Sequence, residues 1–179
     1  MSVATAAFVA DPFMRYIFES ASDYVALFGS LIKVFSGAQS LADEMMFRTE
    51  GFEGVAIWLK PEEHGDEEAA GAWMEKNVPA DRVLKLARIV EQMDSYRASC
   101  EPCWYLSVVG VDAKYQGQGF GSVLMKHVTS QLDERGITGY LESSNPQNIS
   151  LYLRHGFEIM GEIQIDDSPI ITPMVRQPG

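Results

Sequence analysis

Two stretches of this chain hold groups able to do chemistry. The first is Gln116-Gly117-Gln118-Gly119-Phe120-Gly121. Before it, residues 104–111 are nearly unbroken apolar and β-branched, with Ser107 and Gly110 as the interruptions. A strand covered on both faces reads this way. After it, residues 122–135 form an amphipathic run. Strand, glycine turn and helix together aim free backbone N–H groups and the positive end of a helix dipole at an anion. Glycine suits the turn because it tolerates positive φ and lets a ligand approach the backbone. Two phosphate motifs are excluded. A P-loop ends in Gly-Lys-Ser/Thr, but Gly121 is followed by Ser122 and Val123. The dinucleotide fingerprint needs a third glycine where Ser122 stands.

The second stretch runs from Leu141-Glu142-Ser143-Ser144-Asn145-Pro146-Gln147-Asn148 into Ile149-Ser150-Leu151-Tyr152. Asn148 and Tyr152 are four apart and share a helix face. Alone, Tyr152 reads as an amphipathic core residue. Glu142, at the end of a predicted strand, reads by itself as a capping or solvated carboxylate.

The remaining elements must position these groups. Residues 2–18 begin helically, interrupted at Asp11-Pro12, and end in the aromatic-rich patch Phe13, Met14, Tyr16, Ile17, Phe18. Residues 23–35 carry Tyr24, Leu27, Phe28, Leu31, Ile32 and Phe35 at helical spacing, closed by Gly37. Strands are predicted over 44–48 and 53–59, joined at Glu50-Gly51. Residues 61–71 are polar and acidic, the pattern of an exposed loop. A helix follows over 79–97. Past the glycine turn, the pattern predicts a strand over 137–142 and a helix over 146–154 that opens on Asn145-Pro146. Strands over 157–165 and 170–175 complete it.

Composition bounds the function. The chain has 179 residues and a net charge of −11. It reads as one domain over 1–179. The acidic balance argues against nucleic-acid partners and is compatible with a cationic amine. No apolar run is long enough to span a membrane, and the start lacks the basic region of a signal peptide, so a cytoplasmic protein is expected. Cys100-Glu-Pro-Cys103 and the scattered His64, His127 and His155 do not make a four-ligand zinc set, so no metal is expected. Both cysteines read as ordinary thiols.

Gln116-x-x-Gly119-x-Gly121 after a strand resembles the pyrophosphate-binding signature of the GCN5-related N-acetyltransferases (GNAT). Asn148-x-x-x-Tyr152-x-x-x-Gly156-Phe157 resembles the segment of that family that closes over coenzyme A. Within the family, Trp104-Tyr-Leu, Val109-Gly-Val-Asp112 and Tyr140-Leu-Glu-Ser-Ser-Asn-Pro-Gln-Asn148 are similar to the puromycin N-acetyltransferase branch over about residues 104–177.

The resemblance implies an α/β (α+β) GNAT fold: a mixed twisted sheet with helices on both faces. It implies acetyl transfer from acetyl-CoA to a small-molecule amine, in a role of antibiotic resistance or self-protection, and leaves a homodimer open. The backbone amides of Gln118 to Ser122 would hold the pyrophosphate. The cofactor set implied is Val109, Val111, Gln116, Gly117, Gln118, Gly119, Phe120, Gly121, Ser122 and Asn148, with Val109 and Val111 pairing with the pantetheine. Tyr152 would be the general acid and Glu142 the base. A peptide or protein amine acetyltransferase, and an acyl-CoA-binding module without turnover, stand as alternatives.

Two departures from the family pattern follow. The first helix begins almost at Met1, so the family's first strand is expected to be absent. Tyr105 stands where some members carry a glutamate base. An alkyl amine is neutral about once in 2,500 molecules at pH 7, an α-amine on the order of a tenth of the time. A site with a distant base therefore suits an α-amine.

Overall fold

A computed structural model describes residues 2–37, 44–61 and 67–179. Its sheet is built from β1 (Met46–Arg48), β2 (Gly54–Leu59), β3 (Cys103–Val111), β4 (Thr138–Ser143), β5 (Glu158–Ile159) and β6 (Thr172–Arg176). The strand order is β1-β2-β3-β4-β6-β5, and β3 and β4 are the one parallel pair. Among the described residues no strand precedes the first helix.

A β-bulge sits in the centre of β3. Ile57 pairs with Val108 while the next residue, Trp58, pairs with Leu106, which leaves Ser107 extra. Side chains alternate across a strand, so one extra residue reverses the alternation. Trp104 and Leu106 pack on one face of the sheet, but Val108 packs on the other. This reversal, together with cover on both faces, is why β3 reads as one apolar run.

The helices are α1 (Ser2–Ala7), α2 (Pro12–Ile17), α3 (Ala21–Ile32), α4 (Glu67–Asn77), α5 (Ala80–Ala98), α6 (Phe120–Arg135) and α7 (Ile149–Arg154). On one face Tyr24, Phe28 and Leu31 of α3, Trp73 of α4 and Leu86 and Ile89 of α5 cluster on Ile57 and Val108. On the other, Leu124, Met125, Val128 and Leu132 of α6 meet Ala56, Trp58, Trp104 and Leu141. α1 lies directly on β3: a Cβ added at Gly110 would come 2.6 Å from that of Ala7.

The predicted interruption at Asp11-Pro12 is a helix start. Asp11 Oδ1 accepts from the amides of Phe13 and Met14, and Pro12 takes the first helical position. α3 is followed by a π-helical turn, Lys33–Gly37, so the chain leaves the helix at Gly37 as its sequence predicts.

Two expectations are corrected. Of the loop expected over 61–71, Pro61 is a turn, residues 62–66 lie outside the described part, and 67–71 are already helical in α4. Ala69, Ala70 and Ala72 favour the helix. Trp73 anchors it, buried and donating from Nε1 to Ser30 Oγ at 2.8 Å. The strand expected over 157–165 is reduced to Glu158–Ile159 and a single bridge between Ile163 and Ile171. Between them Gly161 gives its side-chain space to the Tyr96 phenol of α5.

Candidate active site

β3 and β4 stay paired only from Cys103–Leu106 against Thr138–Leu141. Beyond that point β3 follows β2 to Val111, and β4 follows β6 to Ser143. The strands part at the bulge. The β4-facing backbone of residues 107–111, which includes Val109 and Val111, is left without a strand partner. Ser107 Oγ is held 2.7 Å from Ser36 Oγ in the π-helical turn.

A cavity of about 440 Å³ lies in this parting. Residues of both core clusters line it: Phe8, Phe28 and Trp73 from one face, Leu106, Leu141 and Tyr152 from the other. It therefore connects the two faces of the sheet.

Glu142, Tyr105, Asp94 and Arg97 gather in the cavity lining. Tyr105 and Tyr140 are register partners with ring centroids 5.9 Å apart, and Glu142 follows two residues on, pointing to the same face. Glu142 Oε2 is buried without a hydrogen-bond partner among the described residues. Burial pushes the Glu142 carboxyl up to about 7, while the Tyr105 and Tyr140 phenols and the Arg97 guanidinium pull it back. Burial and the carboxylate of Glu142 hold the Tyr105 phenol well above its usual range.

Tyr152 reaches the cavity from α7 and is buried. Burial, then the charge of Asp11, raises its pKa far beyond any working pH, so its phenol stays protonated. Asn148, at the N-terminus of α7, also lines the cavity.

On the outer side of the parting is the glycine turn. Gly117 and Gly119 have φ of +75° and +91°, and a Cβ at either would meet nothing within 4 Å. This is an open cradle. Gly119 caps α6 without a side-chain hydrogen bond, and the first amide turned inward is Val123 N, to Gly119 O. The amides of Gln118 to Ser122 have no protein acceptor among the described residues. Gly121 differs: its missing side chain leaves room for Leu151 of α7, 3.3 Å from where a Cβ would stand. Phe120 is half-buried and meets the Tyr115 ring edge-on.

Three of the predicted cofactor residues have internal duties. Gln116 Nε2 donates to Val111 O and Gln118 Nε2 to Lys114 O, bracing the turn from within. Ser122 Oγ lies 2.6 Å from His155 Nε2. Burial and the cations Arg154, Arg176 and Lys126 hold His155 below its usual pKa.

Open glycines and the uncapped N-terminus of a sixteen-residue helix fit the phosphates of a coenzyme A thioester. The sequence of residues 40–157 matches the model of the acetyltransferase (GNAT) family. The chain belongs to this GNAT family. An uncharacterised N-acetyltransferase of Schizosaccharomyces pombe is 35% identical over 78 residues, which are 42% of this chain and 32% of that protein. The match thus spans about a third of that curated relative. Two solved structures share the fold. One is a Corynebacterium glutamicum protein described as histone acetyltransferase HPA2 and related acetyltransferase. It is 24% identical, with 99% of this chain and 88% of that one covered at a TM-score of 0.63. The other, a Drosophila melanogaster polyamine N-acetyltransferase, is 14% identical, with 95% and 91% covered at 0.59. The GNAT sheet, mixed and flanked by helices, is the architecture found here.

Two polar residues of this GNAT chain escape a sequence reading. Asp11 is buried, and its Oδ2 accepts from Ser144 Oγ at 2.7 Å, tying α2 to the loop after β4. Burial raises its pKa despite that bond. Arg97 reads only as a helix end, yet its guanidinium carbon lies 5.4 Å from the Tyr105 ring centroid, inside the cavity lining. A pattern search sees the cap at Asp11 but not its burial. It has no signal at all for Arg97, whose neighbours come from β3 and β4.

Proposed function

We propose that this chain is an acetyl-CoA-dependent N-acetyltransferase of a small-molecule primary amine, and that its acceptor is an α-amine of the puromycin-like, amino-acid-derived kind. The observation that carries the reading is the cavity in the β3–β4 parting, with a raised carboxyl on one face and a protonated phenol on the other. Self-protection against an aminoacyl antibiotic is a role this activity would serve.

Acetyl-CoA, when bound, supplies the acetyl group as a thioester with a good leaving thiol. Amides of Gln118 to Ser122 at the α6 N-terminus hold negative charge. The backbone of Val109 and Val111, without a strand partner on this edge, offers strand-like hydrogen bonds to an extended chain, although Val111 O already accepts from Gln116, and Asn148 adds a polar contact. Glu142, near neutral in affinity for protons, takes the proton from the acceptor's ammonium. Tyr152 keeps a proton at its phenol oxygen as the general acid. Phe8, Phe13 of α2, Phe28 of α3 and Trp73 of α4 surround the acceptor's body and exclude water.

The test is release of free thiol from acetyl-CoA with a panel of amines at pH 6.5–9. An aminoacyl amide should exceed spermidine in kcat/KM at pH 7. A peptide that wins the panel would move the reading to protein amines. Acetyl-CoA binding without any turnover would leave a binding module.

A further inference from the structure

We propose that Arg97 determines acceptor specificity by binding the oxygen of a carboxylate or amide group attached to the carbon that bears the amine. The acceptor is then an apolar α-amino acid or its aminoacyl derivative, not a plain arylalkylamine or a polyamine. This rests on the N-acetyltransferase reading above.

Arg97 is three-quarters buried and belongs to the last turn of α5. A guanidinium has five N–H donors in a rigid fork. Among the described residues Arg97 has one hydrogen-bond and ion-pair partner, Asp94 Oδ1, reached by Nη2 at 2.7 Å. Arg97 lines the cavity, and its other donors have no hydrogen-bond acceptor among the described residues. In a mostly apolar cavity, a ligand oxygen is the group that satisfies them.

Glu142 stands beside Arg97, near enough for each to feel the other's charge. Yet no ion pair within 4.0 Å forms between them. A base and a fork that feel each other's charge without pairing leave a place between them for a compound whose amine and carbonyl group sit on neighbouring carbons. Its apolar side chain then lies toward Phe8, Phe28, Phe35 and Trp73. A polyamine would want a second carboxylate along the cavity. The carboxylates lining it, Asp94 and Glu142, both flank Arg97, and Asp94 is already paired with it.

Three acceptors share one ring and spacing: phenylalaninamide, phenylalanine and phenethylamine. In the wild type the better carbonyl-bearing acceptor should exceed phenethylamine in kcat/KM by about 10²-fold or more, since a site built around a hydrogen bond rejects a partner lacking it. The amide and acid arms tell which carbonyl source is used. Arg97→Met keeps length and packing on Tyr105 and should reduce that ratio to within about 3-fold, through the carbonyl-bearing substrate's KM. Arg97→Lys should restore part of it, since it keeps the charge without the fork.

An equal fall for all three acceptors in Arg97→Met would mark a purely structural role and overturn the proposal. So would phenethylamine or spermidine as the best acceptor of the wild type, while leaving the acetyltransferase reading intact. No thiol release with any amine, and no acetyl-CoA binding by calorimetry, would remove that reading and the proposal together.

Discussion

Glu142 and Tyr152 line one cavity from opposite faces of the sheet. In an unbroken sheet two such residues could not share a solvent space. They do so here because β3 and β4 separate after Leu106 and Leu141, where the Ser107 bulge ends their pairing. The parting sets the raised carboxyl and the protonated phenol on either side of one reaction space.

Glu142 should set the acid limb of the pH profile. A base must be deprotonated, so kcat/KM should rise with pH and level off above about 7, where its carboxyl ionises. Tyr105, Tyr140, Arg97, Asp94 and Cys100 are the titratable groups around it, from β3, β4, α5 and the turn after α5. Glu142→Gln should lower kcat by about 10²–10⁴-fold and leave only the acceptor amine's own titration. Steady-state kinetics over pH 5.5–9 checks this, and an unchanged limb in the variant would exclude Glu142 as the base.

The same group makes a stability prediction. Its folded pKa is raised above the usual 4.5 to about 7, so the folded protein holds this proton more tightly than the unfolded chain. The ionisation part of its burial cost is therefore absent below about pH 4.5 and grows as pH rises toward 7. Glu142→Gln should gain stability relative to wild type across that window. Urea melts at pH 4.5 and 7.5 measure the difference, and a gain that shrinks with rising pH contradicts it.

Tyr152→Phe removes one oxygen from a buried ring packed against Phe157 at a centroid distance of 6.4 Å. If the phenol is the general acid, kcat should drop by about 10²–10⁴-fold with little change in melting temperature. Because the phenol stays protonated, it should add no alkaline limb to the wild-type profile. Near-full turnover in the variant would leave Tyr152 a packing residue only.

Gly119→Val sets a β-branched residue at φ +91° in the open cradle. The backbone strain is on the order of 1–2 kcal/mol. The larger effect is on the ligand, since the new methyls stand where phosphates would approach. Acetyl-CoA affinity should fall by at least about tenfold in a folded protein, read by calorimetry; that corresponds to roughly 1.4 kcal/mol. Unchanged affinity would move the phosphate site elsewhere.

Asp11→Ala should unfold α2 from its place. It deletes an N-cap, worth about 1 kcal/mol, and strands the Ser144 hydroxyl. A fall of several degrees in melting temperature is expected. Ser144→Ala removes only the link to the loop after β4 and should cost less. Equal losses from both would mean the cap itself contributes nothing.

What the sequence determined by itself is the local chemistry. Gly117 and Gly119 in a strand-to-helix turn, Asn145-Pro146 at a helix start and the four-residue spacing of Asn148 and Tyr152 depend on neighbours within one turn of chain. Backbone sterics and capping act at that range. Residue types in order were therefore enough to indicate an anion cradle and the family that uses it. Only the tertiary structure decided the rest. The Ser107 bulge exists through its pairing with β2, and the raised carboxyl of Glu142 through burial among β3, β4 and α5. Asp11 and Ser144 meet across 133 positions. Arg97 faces the cavity because α5 docks on the start of β3. Burial, desolvation and the parting of two strands are properties of distant segments packed together, and no window of sequence contains both sides.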